Sequence, residues 1–344
     1  MREILKKLYE TNNLDLNELT FLIENVDEAT ITDIKEKAKE LNQKIYGNKI
    51  YIRALLEFSN YCRKNCMYCG LRKDNENVDR FRLDKNQIVD SIGKAYDFGY
   101  RSFVMQSGED EYYTKDILSD IIFTLKEKFE GIAITLSIGE RKFEEYEAFK
   151  KAGADRFLLR HETANEKQYE KLHPGMSFEE RVRCLHDLKS LGYQVGAGFL
   201  VGLPKTSSQI MVENLRFLKE LQPHMVGIGP LIIHNDTPLK NFSNGSVEDT
   251  FFYLAITRLL LPKAMLPVTT AVNTLDKNGL ERGIHSGGNV LMLNLSPQEV
   301  KQKYELYKNR ETKSVYDLDK VAERLENLGY EAYIGRGDHI DWSI

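Results

Sequence analysis

The apolar positions of this chain fall into two rhythms. Over residues 1–48 they recur at helical spacing: Leu5 and Leu8, then Leu16, Leu19 and Leu22, and TITDIKEKAKELNQKI repeats the pattern. This stretch reads as an N-terminal helical extension. Beyond it, short apolar runs alternate with amphipathic helices, as βα units do. The strand candidates are 50–59, 102–107, 132–137, 156–160, 194–202, 225–232, 266–271 and 289–293. Helical patterns lie near 86–98, 115–128, 141–152, 177–191, 208–221, 247–261, 278–285 and 297–308. Eight of each in alternation is the count for an α/β (β/α)8 TIM barrel over residues 49–310. Residues 311–344 predict a small C-terminal cap, with a helix at 317–328 and a strand at 330–334.

A barrel makes a statement about position, because such folds carry their sites at the C-terminal ends of the strands. Functional residues are therefore expected at Glu57–Cys69, Gln106–Glu109, Thr135–Ser137, Arg160–Glu162, Gly198–Val201, Gly227–Pro230, Thr269–Ala271 and around Asn289.

Composition narrows the partners. The 344 residues carry a net charge of −4, so no basic field attracts nucleic acid or an anionic membrane. No apolar run reaches the length of about 18 residues that a spanning helix needs, and the N-terminus lacks a signal-peptide pattern. The expected location is the cytoplasm. Of four cysteines, three crowd into C-R-K-N-C-M-Y-C, which speaks for ligands rather than a disulfide framework.

Cys62, Cys66 and Cys69 follow the first strand directly. Thiolates are the natural ligands of iron–sulfur clusters, and three of them on one loop leave a fourth iron open to an outside ligand. A structural zinc is the alternative, but it wants four protein ligands, and no histidine precedes His161. Cys184 sits in the helical run RVRCLHDLKSLG and reads as a packed helix cysteine. His161-Glu162 begins an H-E-x-x-H motif, but position 165 is Asn, so a zinc protease site is not supported.

The C-x3-C-x2-C pattern, with an aromatic before the last cysteine, is similar to the signature of the radical S-adenosylmethionine superfamily. The resemblance implies one 4Fe–4S cluster on the three cysteines, with S-adenosylmethionine chelating the fourth iron. One electron then cleaves the sulfonium to a 5′-deoxyadenosyl radical. The likeness extends through IRALLEFSNYCRKNCMYCGLRKDN, MQSGED, RFLLRHETANEKQYEKLHPGMSFEERV and MVGIGPLIIHNDTPL to VTTA. These blocks resemble the HydE family of iron–iron hydrogenase maturases, whose members are thought to process an iron-bound, cysteine-derived organometallic precursor.

Roles follow from that resemblance position by position. Tyr68 and Met225 would lie against the adenine. Gln106, Ser107, Gly108 and Glu109 would receive the methionine ammonium, with Ser137 nearby. Glu162 would bind the ribose diol and Arg181 the methionine carboxylate. On the substrate side, Arg160, Thr269 and Thr270 would form a carboxylate receptor, joined by Thr135 and Tyr304. A reduced flavodoxin- or ferredoxin-type donor is implied, and the basic run Arg63, Lys64, Arg72 and Lys73 could dock it. Other hydrogenase maturation proteins are implied as partners, in an anaerobic setting.

The pattern departs from the family after the seventh strand, at Asn273, His285, Ser286 and Leu293, and at Lys205. No cysteine follows Cys184, so one cluster is expected. Two other readings stay open. One is a radical mutase acting on a free amino acid, as methylornithine synthase does, which Leu275, Asp276 and Gly279 faintly suggest. The other is a non-catalytic iron–sulfur or zinc protein.

Overall fold

Three helices open the chain: α1 (Arg2–Thr11), α2 (Leu16–Asn25) and α3 (Glu28–Tyr46). Asp15 caps α2 in a reciprocal box with Glu18, and Asp27 caps α3 through the Thr30 amide. The computed structural model describes residues 1–310 and 313–342; residues 311, 312, 343 and 344 of the expected cap lie outside the described residues.

The alternating part follows as β1 (Lys49–Ser59), α4 (Lys85–Asp97), β2 (Ser102–Ser107), α5 (Lys115–Lys128), β3 (Ala133–Ser137), α6 (Phe143–Lys151) and β4 (Arg156–Leu158). Then come α7 (Glu166–Leu172), α8 (Phe178–Ser190), β5 (Gln194–Ala197), β6 (Leu200–Val201), α9 (Ser208–Leu221), β7 (Met225–Val226) and β8 (Gly229–Pro230). The chain continues through α10 (Val247–Leu260), α11 (Thr270–Leu275), α12 (Gly279–His285), β9 (Val290–Asn294), α13 (Gln298–Lys301), α14 (Leu318–Asn327) and β10 (Glu331–Tyr333). Strands β1, β2, β3, β4, β5 and β7 run side by side and parallel, with β9 on the other edge of β1. The ring closes through residues 265–268: Val226 donates to Met265 O at 3.0 Å, and Val268 donates to Val290 O at 2.9 Å. The result is the barrel the alternation predicts, with helices outside and a buried parallel sheet within.

Four expected elements changed on folding. The run 194–202 is broken into β5 and β6, and 225–232 into β7 and β8. Gly198 sits at φ 146°, and a Cβ there would stand 1.9 Å from Gly227 O, so the two strands touch backbone to backbone where a ladder would need room. The expected strand 266–271 keeps only isolated bridges and turns into α11 at Thr270. Pro267 has no N–H for the ladder, which weakens that stave. The expected helix 297–308 is reduced to α13, because Tyr304 and Arg310 are drawn inward to Gln106 and Glu57. An additional short helix, α7, stands where no helix was expected.

The lower end of the barrel is sealed by the chain's last segment. β10 pairs with the start of β1, Lys49 opposite Glu331 and Tyr51 opposite Tyr333. Asp338 then accepts from the buried Arg156 at 2.6 Å and from Gln194 at 2.8 Å, while Arg336 pairs with Asp155 at 3.0 Å. At the outside, α10 is buried on every face, which explains its nearly continuous apolar sequence. The N-terminal helices lie over it: Asn12 donates to Leu259 O, and Lys219 of α9 to Asn12 O. With the bottom closed, the open end is the C-terminal one.

Candidate active site

The cysteine loop is held by two side chains that its own motif does not contain. Asn60, fully buried, donates to Asp79 O at 2.9 Å and to Lys303 O at 2.8 Å, and its Oδ1 accepts from Phe81 N at 2.7 Å. Arg80 donates to the carbonyls of Asn60, Leu71, Arg72 and Asn75. Five-donor guanidinium geometry suits that task, tying both ends of the loop to one point. A bulge between Glu57 and Ser59 re-aims β1 just before the loop begins. From the other side Gly108 lies flat against the loop, where a Cβ would meet Tyr61 O at 2.2 Å.

Cys62, Cys66 and Cys69 line one cavity of about 360 Å³ at the C-terminal end of the barrel. Burial pushes all three thiols up, Cys69 to about 12, and neighbouring sulfurs add to the effect at Cys66 and Cys69. As thiolates they need a compensating cation, which a cluster's iron supplies. The amides of Lys64 and Glu109 face the Cys62 sulfur and that of Leu71 faces Cys69, a donor set suited to anionic sulfur. Among the described residues no group of three or more His, Cys, Asp or Glu is disposed around a single metal ion. Three thiols lining one cavity are the ligand type that a larger cluster takes at separate corners.

The same cavity collects unsatisfied polar atoms. Arg160 Nε and Thr269 Oγ1 are buried without hydrogen-bond partners, Glu162 Oε2 meets only an ion pair, and all three residues line it. Arg160 Nη2 stands 3.0 Å from Glu162 Oε2 as an ion pair and also donates to Phe199 O at 2.8 Å. Glu162 is held at φ 63°, between hydrogen bonds from its own amide to Gly198 O and from Leu200 to its carbonyl. A non-glycine residue in that conformation is strained, and such strain clusters at functional sites. Orphaned buried donors and acceptors mark a place built for a ligand.

Most expected site residues meet here: Tyr68, Gln106, Ser107, Gly108, Glu109, Ser137, Arg160, Glu162, Arg181, Thr269, Thr270 and Tyr304 all line the cavity beside the cysteines. Met225 and Thr135 do not. They lie one layer deeper, around a void of about 10 Å³ with Arg53, whose Nη1 is 2.8 Å from Met225 Sδ. The reason is register: Thr135 pairs with Val104, and Ser137 with Gln106 one layer higher. In the basic run Arg63 pairs with Glu109 and Glu111, Lys64 with Glu109 and Glu140, and Arg72 approaches Asp74, while Lys73 is exposed.

Several contributors were not legible in the sequence. Glu140 accepts from Arg181 Nε at 2.9 Å and from Lys64 at 3.0 Å; burial opposes its charge, but the two cations hold its carboxyl below the usual range. His173 lines the cavity and meets Tyr68 Oη at 2.7 Å. Residues 303–310 cross the mouth: Gly70 donates to Leu306 O at 2.9 Å, and Tyr304 Oη meets Gln106 at 3.2 Å. Arg310 ends this strap on the fully buried Glu57, whose other oxygen accepts from Asn294 at 2.9 Å.

Comparison with known proteins agrees with this geometry. The profile of the Radical SAM superfamily matches residues 56–241. The chain is 46% identical to the FeFe hydrogenase maturase subunit HydE of Thermotoga maritima, covering 89% of this chain and 83% of that one. It is 26% identical to the 3-methylornithine synthase of Methanosarcina acetivorans, over 95% of this chain and 92% of the other. The crystal structure of methylornithine synthase (PylB) superposes with a TM-score of 0.84 at 24% identity, covering 96% and 97% of the two chains, which speaks for the fold alone.

Proposed function

From the premise that this chain belongs to the radical S-adenosylmethionine superfamily, and within it stands with the HydE maturases, we propose that it acts in iron–iron hydrogenase maturation on an iron-bound, cysteine-derived substrate. The observation that carries this reading is the convergence of three thiols, two orphaned polar groups and the Arg160–Glu162 ion pair on one closed-bottomed cavity. When bound, one 4Fe–4S cluster with S-adenosylmethionine supplies the deoxyadenosyl radical.

The chain's residues prepare for that chemistry. Cys62, Cys66 and Cys69 hold the cluster. Gly108 brings a main-chain edge close to the loop, with Gln106, Ser107 and Glu109 beside it and Ser137 alongside on β3. Tyr68 offers a ring for the adenine, Glu162 a carboxylate for the ribose hydroxyls, and Arg181, braced by Glu140, a fork for the methionine carboxylate. Beside them Arg160, Thr269 and Thr270 offer a fork and two hydroxyls for an amino-acid carboxylate, and Tyr304 covers it from the strap. The strap and the sealed bottom exclude water, which protects a radical from quenching. A reduced flavodoxin- or ferredoxin-type donor delivers the electron, and the protein works in the reducing, anaerobic cytoplasm, in contact with other maturation proteins.

The test is anaerobic reconstitution with iron and sulfide, then electron paramagnetic resonance of the reduced protein with and without S-adenosylmethionine. A cubane signal that shifts on adding it, with 5′-deoxyadenosine formed, supports the reading; a signal indifferent to it sinks the reading and revives a non-catalytic iron–sulfur protein. Substrate class is decided by deoxyadenosine formation above background with an iron–cysteine complex or with free lysine. Stimulation by lysine alone would favour the methylornithine-synthase-like alternative, for which the same carboxylate receptor would serve.

A further inference from the structure

We infer that Tyr169 and His173, at the end of α7, form a positioning unit that sets the ring of Tyr68 on one flank of the cavity and the Glu140–Arg181 pair on the other. The inference rests on the reading of this cavity as the S-adenosylmethionine site and concerns how its two ends are kept in register.

The geometry runs through one imidazole. His173 is buried, and its Nδ1 lies 2.7 Å from Tyr169 O, a carbonyl that can only accept. Nδ1 therefore carries the proton, which leaves Nε2 as an acceptor 2.7 Å from Tyr68 Oη. The ring is neutral: burial, helped by Arg181, lowers its pKa to about 3. The tautomer is thus set by main chain, and the hydroxyl of Tyr68 has one direction in which to donate. The two rings meet edge to face at 5.5 Å, and Met67, the residue before Tyr68, donates its amide to Leu172 O at 2.9 Å. Main chain and side chain both sew the cysteine loop to the end of α7.

The second half uses the other ring of the pair. Tyr169 stacks on His173 at 4.2 Å and 27°, and its hydroxyl donates to Glu140 Oε1 at 3.3 Å. That same oxygen accepts from Arg181 Nε, and the Arg181 guanidinium lies 5.6 Å from the Tyr169 ring centre. Glu140 Oε2 returns to the cysteine loop through Lys64 at 3.0 Å. One stacked pair thereby touches the groups proposed for the adenine and for the methionine carboxylate. A histidine that served only to fill space would leave Tyr68 Oη without this acceptor.

The test is the KM for S-adenosylmethionine in deoxyadenosine formation by the reconstituted enzyme under saturating reductant. His173→Phe strands the Tyr68 hydroxyl and is expected to raise KM about tenfold with kcat changed less than about threefold. Tyr68→Phe should behave similarly, and the double variant should be no worse than either single one, because both remove the same bond. His173→Gln keeps an acceptor and should return KM to within about threefold of wild type. A wild-type KM in His173→Phe, or additive effects in the double variant, overturns the inference. If His173→Phe loads no cluster, judged from its signal without S-adenosylmethionine, His173→Gln decides: near-wild-type KM supports it, and a tenfold rise with the cluster intact overturns it. Failure of the underlying reading looks different, since the wild-type cluster signal itself would then ignore S-adenosylmethionine.

Discussion

Removing Arg310 should open the strap without dismantling the barrel. Arg310 and Glu57 form a buried ion pair, with their side chains 7% and 0% exposed, so Arg310→Met leaves a buried carboxylate with Asn294 and Ser296 as its donors among the described residues. Breaking such a pair by removing one partner costs about 3–5 kcal/mol. The other polar ties of the strap include the Tyr304–Gln106, Asn60–Lys303 and Gly70–Leu306 hydrogen bonds, each worth about 1 kcal/mol net, and the more exposed Lys303–Asp79 ion pair at 2.7 Å, worth about 1 kcal/mol or less. The latch is therefore the strongest single polar tie among these, and its loss should fall on local opening rather than global unfolding. The Gly70 amide reports directly, because its acceptor is Leu306 O. Hydrogen exchange at Gly70 should accelerate by about a hundredfold or more, each 1.4 kcal/mol being a factor of ten. Exchange in β2 to β5 should stay as in wild type. Substrate KM should rise as Tyr304 leaves the cavity, while the response of the cluster signal to S-adenosylmethionine is retained. Gly70 exchange within threefold of wild type would refute the latch and reassign the Glu57–Arg310 pair to simple packing.

Two further outcomes follow from the barrel itself. Gly198→Ala, strained at φ 146° with its Cβ driven 1.9 Å from Gly227 O, should lose about 3 kcal/mol or more in urea unfolding, whereas Gly227→Ala, with Arg160 Cδ 3.7 Å away, should lose less than about 1 kcal/mol; equal midpoints would contradict the close strand contact. His161 and His173 are neutral in the fold, burial lowering each to about 3 against an unfolded value near 6.5, so the unfolded chain binds more protons between those values and stability falls as pH drops. Between pH 7.5 and 5.5 each should cost about 1 kcal/mol, and unfolding midpoints that do not change over this range would show that the rings are not buried neutral.

What the sequence determined on its own is whatever local spacing encodes. The 3.6 and 2 periodicities named the helices and staves, because burying one face is a local bargain between neighbours along the chain. The cysteine loop was legible for the same reason, its three thiols lying within eight positions, and so were Gly108 and Glu109, which follow a strand end at fixed offset. Tertiary structure decided the rest. Period two says that Thr135 and Met225 face inward, yet only the stagger of neighbouring strands puts Ser137 and Gly227 in the cavity and those two a layer below. Helical spacing at 297–308 yielded to Tyr304 and Arg310 reaching into the barrel, since a buried charge pair outweighs the propensity of a short exposed helix. Arg80, Glu140, His173 and Arg310 carry no motif because each acts across a fold contact, on carbonyls, cations or hydroxyls from other elements. Such contacts exist only after the ring closes, and no pattern along the chain announces them.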